Sequence, residues 1–121
     1  MHPRPIVPTV DVRVAAERLA GGEPALLVDV REPDEFEVVR VDGAVLLPLS
    51  TFLLRYGELP RDTPLLILCA AGSRSAAATA HLLEHGWSNV TNVAGGIITW
   101  ERAGLPVKRG RTAPGEGALP G

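Results

Sequence analysis

Leu65-Leu66-Ile67-Leu68-Cys69-Ala70-Ala71-Gly72-Ser73-Arg74-Ser75 is the stretch that decides the fold. Its first five residues are all apolar and follow Thr63-Pro64. A short apolar run without alternation, opened by a turn signal, reads as a strand buried on both faces. Ala70, Ala71 and Gly72 are small enough for a tight turn. From Arg74 to His85, alanines with Leu82 and Leu83 give a helix with a small-residue face, and Gly86 is a natural stop. Strand, tight turn, helix is the repeating unit of a parallel α/β sheet.

The same alternation extends outward in both directions. Ala25–Asp29 and Ala44–Leu47 are further short apolar runs, bounded by Pro24 and by Gly43 and Pro48, and Val90–Val93 reads as a last short strand. Helices are predicted over Val12–Ala20, capped by Thr9 or Asp11 and ended by Gly21-Gly22. Others are predicted from Pro33 through Glu37, from a Ser50 cap through Tyr56, and around Ile97–Ala103 after Gly95-Gly96. The pattern predicts an α/β fold: three layers, α/β/α, around a central, mainly parallel sheet of about five strands. No internal repeat is present. Residues 9–104 form the expected domain, with an N-terminal extension over 1–8. From Gly104 to Gly121 the chain holds five glycines and three prolines, so residues 105–121 are expected to be a flexible tail.

Composition narrows the function. A chain of 121 residues is one domain's worth. The net charge of −2 lacks the basic footprint of a nucleic-acid binder, so no nucleic-acid partner is expected. No apolar run approaches the roughly 20 residues that span a bilayer, and no membrane association is expected. Met1–Pro5 carries no signal-like apolar stretch, which gives cytoplasmic as the expected location. One cysteine excludes an intramolecular disulfide and a cysteine-rich metal site. His81 and His85 stand four apart at metal-ligand spacing, but no third ligand accompanies them, so no metal is assigned.

Chemistry points to Cys69. In open α/β sheets, sites form beyond the carboxyl ends of the strands, and Cys69 stands at one, just before a helix start. Helix N-termini present unpaired amides and a positive dipole end. Gly72 can bend the loop so that amides turn inward, which favours a thiolate and can hold an oxyanion or a terminal sulfur. Free cysteine is among the most buried residue types, and Cys69 alone reads as an inert strand-end thiol. Core packing does not call for Gly72, Ser73, Arg74 and Ser75 behind it.

The segment Cys69-Ala70-Ala71-Gly72-Ser73-Arg74-Ser75 resembles the active-site loop of the rhodanese family, Cys-x-x-Gly-x-Arg-Ser. Asp29-Val30-Arg31 with Glu35-Phe36, Gly43-Ala44 with Pro48-Leu49, and Gly95-Gly96-Ile97 with Trp100 are similar to the family's other motifs, in order. The resemblance implies a rhodanese-like fold and a sulfurtransferase of the thiosulfate type. In such an enzyme Cys69 attacks a sulfane sulfur, carries it as a persulfide, and passes it to cyanide or a thiol. It implies a small sulfur-containing anion such as thiosulfate as donor, or a protein as sulfur donor or acceptor, and no metal or organic cofactor. An alternative is a low-turnover persulfide carrier or protein-binding module. Cysteine phosphatase and arsenate reductase rank lower, because four residues separate Cys69 from Arg74, one fewer than in Cys-x-x-x-x-x-Arg loops.

Roles follow for the flanking residues. Arg74 stabilises a bound anion or, as the favoured reading, pairs with Asp29 and braces the loop. Arg31 attracts anionic donors or pairs at the surface with Glu35. Ser75 hydrogen-bonds the sulfur or caps the loop. Ala70 and Ala71 bring no charge, which favours a persulfide over thiosulfate as donor. Arg40 stands near the family's Gly-His-Ile position, where it alters entry or is solvated.

Overall fold

The structure, a computed structural model, describes residues 6–120. Its centre is the apolar run quoted above, β4 (Leu65–Leu68), every residue of which is buried. The elements are β1 (Thr9–Val10), α1 (Val12–Ala20), β2 (Leu26–Asp29), α2 (Pro33–Val38), β3 (Val45–Leu46) and α3 (Leu49–Arg55), a 3-10 turn at Tyr56–Glu58, then β4, α4 (Ser73–Glu84), β5 (Val90–Val93) and α5 (Gly96–Arg102). The five strands form one sheet in the order β1-β5-β4-β2-β3, and every neighbouring pair is parallel. This is the α/β architecture expected from the alternation of short apolar runs and helices.

Alternation along β4 divides its side chains between two cores. Leu65, Ile67 and Cys69 pack with Phe52, Ala78, Leu82 and Trp87 on the face covered by α3 and α4. Leu66 and Leu68 pack with Val12, Ala15, Phe36, Ile97 and Trp100 under α1, α2 and α5. The period of two thus puts the Cys69 side chain on the α4 face.

Local chemistry moves two of the predicted boundaries. Asp11, whose carboxylate accepts from Val14 N at 2.9 Å, caps α1, while Thr9 belongs to β1. Pro48 stands at the cap of α3, so Ser50 is inside the helix and donates its hydroxyl to Glu32 at 2.6 Å. Residues 1–5 of the expected N-terminal extension lie outside the described residues; Pro8 at its end accepts a hydrogen bond from Asn92 N. No helix among the described residues is long and apolar enough to cross a membrane.

The segment after residue 104 departs from expectation. Its described part, through Pro120, is laid against the domain. Lys108 and Arg40 exchange main-chain hydrogen bonds, Gly110 N donates to Glu37 O, and Gly117 O accepts from Leu46 N. Leu119 packs on the α4-side core. The glycines read as flexibility serve here as turns: Gly110, Gly115 and Gly117 all have positive φ. Arg40 anchors the segment with a fully buried side chain paired to Glu116, so it is not solvated.

Candidate active site

The end of β4 delivers Cys69 to a bend that only glycine accommodates well. Gly72 takes φ +108° and closes the turn ahead of α4. A Cβ there would stand 3.2 Å from Gly95 N, so the loop lies directly on the start of α5. The fit is tighter at Gly96, where a Cβ would come within 2.3 Å of Ala70 O and 2.5 Å of Cys69 O. Two main-chain hydrogen bonds lock this contact, Ile97 N to Cys69 O at 2.9 Å and Ile98 N to Ala70 O at 3.1 Å. The Gly95-Gly96 pair therefore lets α5 reach the backbone behind the cysteine.

Cys69 Sγ accepts a hydrogen bond from Gly72 N at 3.0 Å and lies 3.2 Å from Ser75 Oγ. Ser75 Oγ also donates to Gly72 O at 3.2 Å, so the serine both touches the sulfur and ties the bend, combining the two roles read for it. The cradle is narrower than the sequence predicts. Among the described residues one amide, that of Gly72, donates to the sulfur. Cys69 itself is 1% exposed. Ala70 is half-buried, and Ala71 and Ser73 face solvent on the outer side of the loop. One helical turn beyond Ser75, Ala78 enters an apolar groove of about 240 Å³ between α3 and α4, lined also by Leu49, Phe52, Leu53 and His81.

The two arginines have exchanged the partners expected of them. Arg74 forms a two-pronged pair with Glu35, Nη1 to Oε1 at 2.7 Å and Nη2 to Oε2 at 2.9 Å, instead of pairing with Asp29. Asp29 instead takes Arg31, which is buried and holds no surface pair. The strand period explains this, because residues i and i+2 point to one side. Arg31 Nε and Nη2 reach the Asp29 carboxylate at 2.8–3.1 Å, and its main-chain N–H donates to Oδ1 at 3.0 Å. The remaining guanidinium donors reach Glu35 O and Val39 O. Arg31 thus braces main-chain carbonyls as well as Asp29, Arg74 joins the loop to Glu35, and the charge of each is met by a carboxylate.

Glu35 is the residue that the sequence reading placed with the wrong partner. Its carboxylate also accepts from Glu32 N at 3.0 Å, which ties the start of α2 to the Cys69 loop. The hydrogen bonds from Arg74, reinforced by Glu32 N and by the charges of Arg74 and Arg31, hold its pKa down at about 2, against the opposing effect of burial. The same pair raises Arg74 above its ordinary value. His81 on α4 and His85 at its C-terminal cap are stacked at 4.0 Å, with His85 Nδ1 in contact with His81 O at 2.7 Å. Among the described residues no group of three or more His, Cys, Asp or Glu side chains is placed to hold a metal ion.

Comparison with known proteins fits this arrangement. The family model described as Rhodanese-like domain matches residues 10–103. The chain belongs to the rhodanese-like domain family. This rhodanese-like domain is 39% identical over 102 residues to a protein named sulfurtransferase from Allochromatium vinosum, covering 84% of this chain and 95% of that one. It is 36% identical over 102 residues to the probable adenylyltransferase/sulfurtransferase MoeZ of Mycobacterium tuberculosis, covering 81% of this chain but 26% of that protein. Among solved structures, the rhodanese-related protein of Thermoplasma volcanium superposes with a TM-score of 0.78 at 30% identity, covering 84% of this chain and 98% of that one. These relatives support sulfur transfer, in general terms, as the business of the rhodanese-like domain.

Proposed function

We propose that the domain transfers sulfane sulfur through a persulfide on Cys69. The observation that carries this reading is the setting of Sγ, held by Gly72 N and Ser75 Oγ at the head of a twelve-residue helix. The amide and helix dipole favour negative charge on that sulfur. In the first step the Cys69 thiolate attacks the outer sulfur of the donor. A new Sγ–S bond forms, the donor S–S bond breaks, and the leaving group departs with the electron pair, as sulfite if the donor is thiosulfate. In the second step cyanide or a thiolate attacks the terminal sulfur, and the electron pair of the Sγ–S bond returns to Cys69. The chemistry conserves electrons between donor and acceptor and calls for no cofactor.

Charge around the site favours a donor of low charge. Arg31 and Arg74 are both neutralised by carboxylates, and Ala70 and Ala71 add no cation. A persulfide or polysulfide of a thiol, small or protein-borne, is therefore preferred over the thiosulfate dianion. The test is intact-mass analysis after exposure to each donor, with thiocyanate formation measured in parallel. Addition of one sulfur, reversed by reductant and absent from Cys69→Ser, is the expected result. Equal turnover by parent and variant would discard Cys69 as nucleophile.

The burial of Cys69 favours a second reading, a carrier or docking module that accepts sulfur from a protein partner with little turnover on small molecules. MoeZ, in which the matching region is a quarter of a larger protein, supports it. Stoichiometric loading without catalytic turnover would select this reading. Vanadate-sensitive hydrolysis of aryl phosphates without sulfur loading would instead select a phosphatase.

A further inference from the structure

The segment 105–119 lies outside the residues matched by the family. It touches β3, α5 and the α4-side core, and its Gly110, Glu116 and Gly117 meet α2, a helix of six residues, and Arg40 just beyond it. So short a helix does not hold its own conformation in water. Four of the carbonyls at its end find partners from elsewhere. Arg31 takes those of Glu35 and Val39, at 3.2 and 2.6 Å. Arg40 Nη1 reaches those of Phe36 and Glu37, at 3.4 and 3.3 Å, and Gly110 N donates to Glu37 O at 3.0 Å.

Arg40 has no exposed surface, and a guanidinium in that position needs a counter-charge. The counter-charge is Glu116, which takes Nε and, at 3.1 Å, Nη2, while Gly110 O takes Nη1 at 2.7 Å. The strap is pressed close: a Cβ on Gly117 would lie 3.1 Å from the Phe36 ring, and Gly117 φ is +83°. Phe36 neighbours Glu35, whose carboxylate clamps Arg74, and Arg74 adjoins Ser75, which touches Sγ.

We infer that residues 105–119 complete the scaffold of the active site, with Glu116 a positioning residue that acts through Arg40 and α2 on the Glu35–Arg74 clamp of the Cys69 loop. The inference concerns how Cys69 is held and is read without any sulfur donor, so its failure is distinct from failure of the sulfur-transfer reading. Because the sulfur is buried, alkylation requires the loop to open, and the rate reports on the clamp.

The experiment uses the full chain with Glu116→Ala and, separately, Gly117→Ala, which disturbs the strap without touching a charge. Amide exchange is followed by mass spectrometry in α2, in residues 70–75 and in β4, and alkylation of Cys69 is timed with a neutral iodoacetamide-type reagent. Expected is a rise of about tenfold in exchange confined to α2 and the loop, with alkylation several-fold faster. Glu116→Gln, which keeps the acceptor oxygen toward Arg40 and Ala113, restores part of the protection. Glu58→Ala, which removes only the surface pair with Arg55 and touches no residue of the strap, leaves both readouts at the parental level. Should Glu116→Ala not fold, Gly117→Ala and Glu116→Gln are measured in its place and decide the question. A rise that includes β4 equally, no rise at all, or an unchanged alkylation rate overturns the inference.

Discussion

Replacing Gly96 by alanine tests whether α5 supports the cysteine loop by direct backbone contact. The new Cβ would lie 2.3 Å from Ala70 O and 2.5 Å from both Ala70 C and Cys69 O. None of these atoms can swing aside as a side chain could. Alanine at φ +62° adds about 1–2 kcal/mol of backbone strain by itself. Relieving the clash means separating α5 from the loop, which breaks the hydrogen bonds of Ile97 N and Ile98 N, each contributing about 1 kcal/mol. The total is about 3–4 kcal/mol, or a fall in Tm of roughly 10–20 °C for a domain of this size. Gly104 at the other end of α5 provides the control, because its φ is +77° and nothing lies within 4 Å of its would-be Cβ. Gly104→Ala should cost only the strain, about 1–2 kcal/mol. Urea unfolding of the two variants measures the difference, and the rate of sulfur loading on Cys69 should fall in Gly96→Ala alone. Equal destabilisation, or normal loading in Gly96→Ala, would refute the view that this contact places the loop.

Two pH dependences follow from the ionisations. The Glu35 carboxyl is held at about 2 in the folded chain against an ordinary 4.5, so the stability it contributes is full above 4.5 and is lost as pH falls toward 2. In Glu35→Gln that part of the acid profile should vanish, seen as a parent–variant stability difference that shrinks between those two values. His81, packed against Phe52, Tyr56 and His85, has its pKa lowered by burial first and by the charge of His85 second, with Glu84 opposing. The unfolded chain therefore takes up a proton that the folded one resists, stability falls as pH drops below 6.5, and His81→Leu should flatten that slope in thermal melts across pH 7.5 to 5.

What the sequence discloses is what local chemistry controls. The β4 run, the bend at Gly72, the helix start after Gly95-Gly96 and the stop at Gly86 are each written in a few adjacent residues, and each is found in place. Strand β1 has only two residues and exists by pairing with β5, so no periodicity announces it. The ion pairs divide in the same way. Asp29 with Arg31 follows from the strand period, a local rule that outranks the longer reach first assigned to Arg74. Arg74 with Glu35 spans 39 positions and depends on where α2 is docked. Arg40 with Glu116 spans 76, and an arginine between Val39 and Val41 carries no local sign that a distant glycine-rich segment will bury it.

The pattern of neutralised arginines bears on how such a site selects what reaches it. Long-range attraction of an anion needs unpaired charge, because opposed charges a few ångströms apart cancel at a distance. Arg31 and Arg74 are each met by a carboxylate within 3 Å, so the positive character that remains near Sγ comes from main-chain dipoles. The effect of a helix dipole falls off within a turn. Under the proposed sulfur transfer, selection would therefore operate at contact, through the depth of Cys69 and the order of residues 69–75. Those two properties rest in turn on Gly72, on the α5 contact at Gly96, and on the clamp between Arg74 and Glu35. If Cys69 carries sulfur as proposed, the two arginines that look most like substrate-binding cations in the sequence are spent on ion pairs, and Sγ is left to be recognised by shape and by a single amide and hydroxyl.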